Sequence, residues 1–488
     1  MSIVRITVAG FCAALLMGAA ITFSRAEEPG TDPAAASAVP APKAAPADPF
    51  PAPSGLLEQV EFWKQVFATL SLSQVAIHDV DHPALVYETV TLPGEVGEGY
   101  SRAQREIVRA RQRKIETALA RMERKIAARE ELTDEEKELA LKITTTAGIA
   151  SIEGAHTRLR SQRGLRERFR RGLEISGRYD AEFRRVFREA NLPEDLAFLP
   201  HVESSFQASA RSSAGALGIW QFTRPAARKF MLYCSALDER LDPVAAARGA
   251  ARYLRDAYET LGDWSLAVTS YNHGVEGMAR ARARFGTDFD RIAREYNGKH
   301  FGFASRNFYA EFLAVREIAR DPVRFFPEGI RYEPPLAQDR VVLDKRTTPV
   351  QVARAYGVPL GDLTALNPAW TRRAVRDGQA LPAGTEVWLP QGTIGRLSAP
   401  KDAAKAAPPA VASQSAAEAP KPPAGRVPGA RAADAVASAI VHVVRRGETL
   451  FKIAAAYGVS VTDLLGLNQL TPGSVLHPGQ RLRVPTAP

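Results

Sequence analysis

Two stretches of this chain cannot build a core, and they bound everything that can. Residues 27 to about 54 and about 397 to 435 are rich in Ala and Pro, as in Lys401-Asp-Ala-Ala-Lys-Ala-Ala-Pro-Pro-Ala410. They lack the apolar bulk needed to offset the entropy of ordering, and read as disordered spacers. Folded mass is thus expected in two blocks, a long one between the spacers and a short one after the second. With 488 residues, 45% of them hydrophobic, about two to four domains with sizeable cores are expected. The formal charge of +10 suits an acidic polymer or an anionic membrane face. Charge alone gives no reason to infer nucleic-acid binding, and none is expected.

The N-terminus points to export. Arg5 precedes an apolar stretch from Ile6 to Phe23, followed by Ser24-Arg-Ala26. Small residues at the first and third of those positions fit signal-peptide cleavage after Ala26, so the expected location is the periplasm or cell envelope. An uncleaved membrane anchor is the alternative, although the stretch is short for a span. Phe11 beside Cys12 argues against lipoprotein processing. Cleavage leaves Cys234 as the sole cysteine, which excludes an intramolecular disulfide. Cys234 is expected to be a small buried apolar side chain.

Residues 55–177 are expected to form a helical extension. Ile115, Leu119, Met122 and Ile126 recur at four- and three-residue spacing, which is one helix face. Arg121, Glu123, Arg124 and Lys125 around them suit a solvated outer face; a basic arm toward a polymer is the sharper alternative.

Chemistry concentrates from Asn191 onward. Pro193 suits a helix start, with Glu194 and Asp195 at its positive end. Pro200 should kink or shorten the helix, which leaves Glu203 near a helix end and free to face a cleft. Glu203 follows the apolar run Phe198-Leu-Pro-His-Val202. A carboxyl held against apolar surface resists ionisation and can donate a proton near neutral pH, as glycosidic cleavage requires. Downstream, Gly215 and Gly218 permit a tight turn, and Gln221 offers both a donor and an acceptor for sugar groups. Tyr271 and Asn272 lie in Ser270-Tyr-Asn-His-Gly274 and could bind an N-acetyl group or orient Glu203. His201 and His273 show no metal-ligand spacing and are expected to be structural; no metal or cofactor is expected.

Taken together, Glu203-Ser-Ser-Phe206, Gly215-Ala-Leu-Gly-Ile-Trp-Gln-Phe222 and Tyr271-Asn-His-Gly274 resemble the lytic transglycosylase domain of the soluble lytic murein transglycosylase family, over about Leu192 to Arg316. The resemblance implies a lysozyme-like domain, placed at 178–330. It carries the family's acid/base glutamate onto Glu203, and its active-site serine and glutamine onto Ser212 and Gln221, nine and eighteen residues further on. Its tyrosine-asparagine pair falls on Tyr271 and Asn272. The fourth family motif departs: the family carries a glutamate and a threonine shortly before a tyrosine, whereas this chain has Ala304 in the glutamate's place and Phe308 in the tyrosine's. Tyr309, one position displaced, is the remaining candidate there for binding substrate.

The last block reads as strand-helix-helix-strand. Ile440–Val444 and Arg481–Val484 suit strands, and Leu450, Ile453, Ala454 and Tyr457 form a helix face. Ser460 with Asp463 suits a capping box. With Gly447-Glu-Thr-Leu450 and Asn468, residues 440–486 resemble a LysM domain, which implies binding to N-acetylglucosamine-containing glycans. An internal copy follows at 339–391: Tyr356-Gly-Val-Pro-Leu-Gly-Asp-Leu363 parallels Tyr457-Gly-Val-Ser-Val-Thr-Asp-Leu464, and Asn367 parallels Asn468. Its front is degenerate, with Arg346 for the turn glycine and Pro349 for Leu450.

The fold class expected is mainly α: a lysozyme-like domain with a helical extension, plus two small βααβ LysM modules. The expected function is non-hydrolytic cleavage of peptidoglycan glycan strands to 1,6-anhydro products. The mechanism that the resemblance implies has the substrate's own C6 hydroxyl as nucleophile and Glu203 as acid and then base, which fits the lack of any other acidic residue in the matched motifs. A hydrolytic muramidase and a noncatalytic wall-binding scaffold are the alternatives. Beyond the glycan, a peripheral association with membrane or wall is expected, and the sequence names no protein partner.

Overall fold

The structure, a computed structural model, describes residues 48–95, 97, 99–398 and 439–485, the last span without 446, 447, 449, 458, 460, 469, 471–475 and 478. The expected signal peptide, most of both spacers, Gly447 and the Ser460 cap lie outside the described residues. The chain divides into two compact units at Lys401/Asp402.

The first unit opens with a strap rather than a spacer. Phe50 is buried against Trp264 and Phe312, and Asp48 pairs with Arg316 at 2.5 Å. Residues 48–54, expected as spacer, are therefore part of the packed unit, because one aromatic ring and one ion pair anchor an otherwise weak sequence. Helix α1 (Leu57–Ala68) follows, then strands β1 (Gln74–Asp79) and β2 (Val86–Thr91), helices α2 (Arg102–Ala128) and α3 (Asp134–Ala147), and strand β3 (Leu159–Arg163).

The extension is thus not wholly helical. Its strands form an antiparallel sheet in the order β2-β1-β3. Strand β1 (Gln-Val-Ala-Ile-His-Asp) is almost continuously buried and shows no clean alternation, which hides it from a periodicity search. The helix face is as expected around α2: Leu119 and Met122 are buried in a small core with Leu85 and Ile143, while Ile126 is exposed. Capping boxes at Ser101/Gln104 and Thr133/Glu136 start α2 and α3. Helix α1 instead joins the main core through Phe62, Trp63, Val66 and Phe67.

That core is mainly helical, with Ala76 of β1 and the Trp388 ring joining it. Its elements are α4 (Arg166–Ser176), α5 (Asp180–Glu189), α6 (Leu199–Glu203), α7 (Arg224–Phe230), α8 (Pro243–Leu261), α9 (Trp264–His273), α10 (Val275–Phe285), α11 (Phe289–Glu295), α12 (Phe303–Arg320) and α13 (Pro322–Phe325). The Asp242 carboxylate accepts from the backbone N–H groups of Val244 and Ala245 to cap α8, and Pro243 fits its first turn. Ala246, Ala247, Ala250 and Ala251 keep the buried face of α8 thin, so that neighbouring helices approach closely. Helix α12 is the organising element. It packs against α1, α6 and α9, and its Arg316 binds both Asp48 and Asp195.

Two βααβ modules complete the chain. In the first unit, β4 (Asp339–Val342) pairs antiparallel with β5 (Glu386–Leu389) around α14 (Pro349–Tyr356), α15 (Leu360–Leu366) and the short α16 (Arg372–Val375). Helix α17 (Thr393–Ser398) follows and occupies the start of the expected spacer. In the second unit, β6 (Ala439–Val443) pairs antiparallel with β7 (Arg481–Pro485) around α18 (Leu450–Tyr457) and α19 (Val461–Leu467). No described helix is long and apolar enough to cross a membrane. Cys234 is exposed, not buried: its backbone N–H donates to Leu237 within a tight turn that turns the side chain outward.

Candidate active site

Glu203 is the last residue of α6, a helix of five residues with Pro200 in its first turn. The chain reverses sharply after it. Ser205 and Phe206 both adopt left-handed backbone, with φ of 49° and 58°. Such a conformation is strained for a bulky residue and persists only where its surroundings enforce it. Here the N–H groups of Ser204 and Phe206 both donate to the Pro200 carbonyl. The Phe206 ring is buried against Phe183 and His201, and the Ser204 hydroxyl donates to the Ile219 carbonyl at 2.8 Å. The turn that presents Glu203 is therefore tied directly to the loop carrying Gln221.

That loop is a self-bonded frame. Ser212 Oγ accepts from the Ala216 N–H at 3.0 Å, and short bridges join Leu217 to Arg211 and to Phe222. Gly218 has φ +81°, and a Cβ there would lie 1.9 Å from the Arg240 carbonyl oxygen, so only glycine fits. Gln221, itself at φ 48°, donates its amide N–H groups to the Ala210 and Gly218 carbonyls at 3.1 and 2.7 Å. Its amide nitrogen is engaged by the frame, which leaves the side-chain oxygen as the acceptor for a ligand. Ser212 likewise retains its hydroxyl proton for donation.

Tyr271 crosses from α9 to this loop. Its hydroxyl donates to the Trp220 carbonyl at 2.9 Å, and its ring packs edge-on against Phe222 and Tyr253. Burial, the Glu203 charge and Tyr253 all hold its phenol well above the usual range, so it stays protonated. Asn272 is exposed, and its side-chain oxygen accepts from Ser305 at 2.8 Å, which leaves the amide N–H groups facing outward. Ser305 stands directly after Ala304, so a hydroxyl is kept where the family carries threonine, though its glutamate is lost.

Tyr309 is not in the cleft. Its side chain is fully buried, its ring packs on Phe289 and Phe312, and its hydroxyl donates to the Pro51 carbonyl at 3.0 Å. The strap explains the displacement: Tyr309 faces the core to hold residues 48–51, not a ligand. His201 is buried among Phe169, Phe198 and Phe206, and burial lowers it to about 3, so it stays neutral. His273 packs on Tyr296 and Phe301, and burial lowers it too.

Two residues outside the sequence motifs shape the electrostatics here: Glu311 acts on Glu203, and Arg160 acts on Glu311. Burial pushes the Glu203 carboxyl from 4.5 up to about 8, and the Glu311 carboxyl adds to that rise. Glu311, on α12, is likewise pushed by burial to about 8, with Arg160 of β3 opposing the rise. Among the described residues, neither carboxyl accepts a hydrogen bond or joins an ion pair. Glu311 was legible only as the third member of the series Phe303, Asn307, Glu311, spaced four residues apart along one side of α12. Nothing local marks Arg160, which lies more than a hundred residues upstream.

Comparison with known proteins fits this geometry. Residues 184–292 match the model described as "Transglycosylase SLT domain", and residues 442–485 match the model "LysM domain". The chain carries a transglycosylase SLT domain and a LysM domain. The SLT match includes Glu203, Ser212, Gln221, Tyr271 and Asn272 but stops before α12. Membrane-bound lytic murein transglycosylase D of Escherichia coli (strain K12) is 30% identical over 308 residues, which is 61% of this chain and 61% of that one. The chain thus spans about three fifths of the length of that relative. Membrane-bound lytic murein transglycosylase F 2 of Alkalilimnicola ehrlichii is 29% identical over 170 residues, covering 30% of this chain and 37% of its own. The solved lytic transglycosylase Slt of Pseudomonas aeruginosa is 16% identical, covering 41% of this chain and 30% of its own, with a TM-score of 0.24.

Proposed function

We propose that the protein is an exported peptidoglycan lytic transglycosylase that cleaves the β-1,4 bond between N-acetylmuramic acid and N-acetylglucosamine without water. The observation that carries this reading is the Glu203 carboxyl: raised to about 8, unpaired among the described residues, and presented by a strained turn inside the SLT match. At neutral pH it holds a proton for the glycosidic oxygen. The N-acetyl group of the substrate assists departure of the leaving sugar. The ionised Glu203 then takes the proton of the C6 hydroxyl as that oxygen attacks C1, closing a 1,6-anhydro ring. Gln221 Oε1, Ser212 Oγ and the Asn272 amide are the groups proposed to bind the sugar.

Glu311 raises a second reading, because a hydrolase needs a second carboxylate to activate water or to attack the sugar. A working pair needs environments that drive the two groups apart, one acid and one ionised base. Here burial drives both the same way, to about 8. Glu311 is thus a poor base at neutral pH, which favours the transglycosylase over the muramidase. The LysM domain would hold the enzyme on its polymer, raising the local concentration of strands without tight binding at either site. The module at 339–391 is proposed as a degenerate copy whose role is structural. Export through cleavage after Ala26 completes the proposal. The test is mass spectrometry of products released from sacculi: 1,6-anhydromuropeptides are expected, reducing-end products would turn the reading to a muramidase, and no products at all would turn it to a scaffold.

A further inference from the structure

The guanidinium of Arg160 lies with its Cζ 3.9 Å from the centroid of the Phe303 ring. A guanidinium stacked on an aromatic face keeps its N–H groups at the rim, free for a planar acceptor. Phe303 is held from behind by Trp63 and His78, and Trp63 Nε1 donates to Asn307 one turn further along α12. Asn307 in turn donates to the Phe303 carbonyl. The platform under Arg160 is therefore fixed to the same helix that carries Glu311.

Neighbouring arginines show what an engaged guanidinium looks like here. Arg158 binds the buried Asp79 carboxylate, and Arg163 donates to the Leu72 carbonyl. Arg160 has neither a hydrogen bond nor an ion pair among the described residues, and its side chain is exposed. Its register partner on β1, His78, bonds through Nδ1 to the Asp79 carbonyl and remains neutral, so it does not repel the Arg160 guanidinium. Phe303 stands two residues before Ser305, whose hydroxyl donates to Asn272 of the candidate site at 2.8 Å, and the Glu311 carboxyl on the same helix acts on the Arg160 charge.

We infer that Arg160, delivered by the extension onto its Phe303 platform two residues from the Ser305–Asn272 hydrogen bond, is a subsite for a carboxylate of the muropeptide, which sets a preference for glycan strands that carry acidic groups near the scissile bond. The inference rests on the transglycosylase reading. In stem-bearing strands the carboxylates belong to the peptide; in stem-free strands only the lactyl group supplies one. A bidentate Arg–carboxylate contact gives both charge and geometric selection.

The test compares the full chain with Arg160→Gln and Arg160→Lys on three substrates: native strands, amidase-treated strands that keep only lactyl carboxylates, and strands whose carboxylates are coupled to methylamine. Arg160→Gln is expected to lower kcat/KM by about tenfold on the substrate whose carboxylate is bound, while coupled strands show no difference between variant and wild type. Arg160→Lys, which keeps the charge but loses the fork, should recover part of the loss. A loss on native strands alone assigns the stem as the source, a loss that appears only after amidase treatment assigns the lactyl group, and a loss on both assigns a subsite that takes either carboxylate. An equal loss on coupled strands, or no loss on any strand, overturns the subsite. Absence of anhydro products from the wild type on every strand instead overturns the transglycosylase reading itself.

Discussion

The two walls of the cleft around Glu203 are built on different principles. One wall, residues 199–222, is a continuous stretch that bonds to itself: Ser204 to Ile219, Ser212 to Ala216, and Gln221 to Ala210 and Gly218. The other joins elements far apart in sequence, β3 of the extension and α12, where Arg160 stacks on Phe303 and the Glu311 charge acts on Glu203 without a hydrogen bond. A self-bonded wall needs particular residues at particular spacings, so its sequence is a signature. An assembled wall needs only that two surfaces meet, and its chemistry can be carried by residues that stand outside any motif.

The largest effect should come from removing the one acid. Glu203→Gln is expected to lower release of anhydromuropeptides by about a thousandfold or more, with sacculus binding retained in a pull-down assay. Substantial residual turnover would move the acid role across to Glu311 and the assembled wall. Next in size is the frame itself. Gly218→Ala sets a Cβ 1.9 Å from the Arg240 carbonyl at a φ of +81°, and should cost several kcal/mol, on the order of 2–4. Chemical denaturation of the catalytic unit would register this as a lower midpoint, and an unchanged midpoint would show that the loop is not the rigid wall described.

Glu311→Gln tests how the walls communicate. Activity that needs protonated Glu203 should fall as pH rises through about 8. Removing the neighbouring carboxyl lowers the Glu203 value, so the alkaline limb of the pH–rate profile should move to lower pH, with the optimum rate little changed. A collapse in rate at every pH would instead make Glu311 part of the chemistry. Both carboxyls sit above the 4.5 of an unburied glutamate. Protonation thus favours the folded state, a contribution complete below 4.5 and lost as pH rises through about 8. Either Gln variant should therefore melt higher than wild type at pH 9, by a few degrees, and show little such gain at pH 4. The smallest effect is expected of Tyr309→Phe, which removes the hydroxyl bond to Pro51. It should cost about 1 kcal/mol of stability and leave turnover unchanged; a clear loss of turnover would return Tyr309 to the cleft.

The two βααβ modules show the same contrast on a smaller scale. In each, one asparagine pins the second helix to the closing strand: Asn367 binds Trp388 through both backbone groups, and Asn468 does so with Arg483. The parallel was legible as a repeat, because the pin needs an amide at that point of the βααβ path. The surroundings were not. Trp388 Nε1 donates to Asp242, the cap of α8, at 2.7 Å, and Arg340 pairs with Glu182, so the first module is packed onto the catalytic body. Degeneracy at its front accompanies the use of its surface for packing.

What the sequence by itself determined is the part of this protein in which function is written locally. Glu203 and the glycine-bearing frame are held by bonds within residues 200–222, so residue type and spacing carry them. The tyrosine-asparagine pair and the closing module were legible through their motifs, although they bond to Trp220, Ser305 and Arg483 elsewhere in the chain. Tertiary structure alone decided the rest: that Tyr309 faces the strap, that β1 is a strand, that Arg160 stacks on Phe303, and that the Glu311 charge acts on Glu203. Burial and electrostatic approach depend on which surfaces pack together, and packing across more than a hundred residues leaves no periodic trace in the chain.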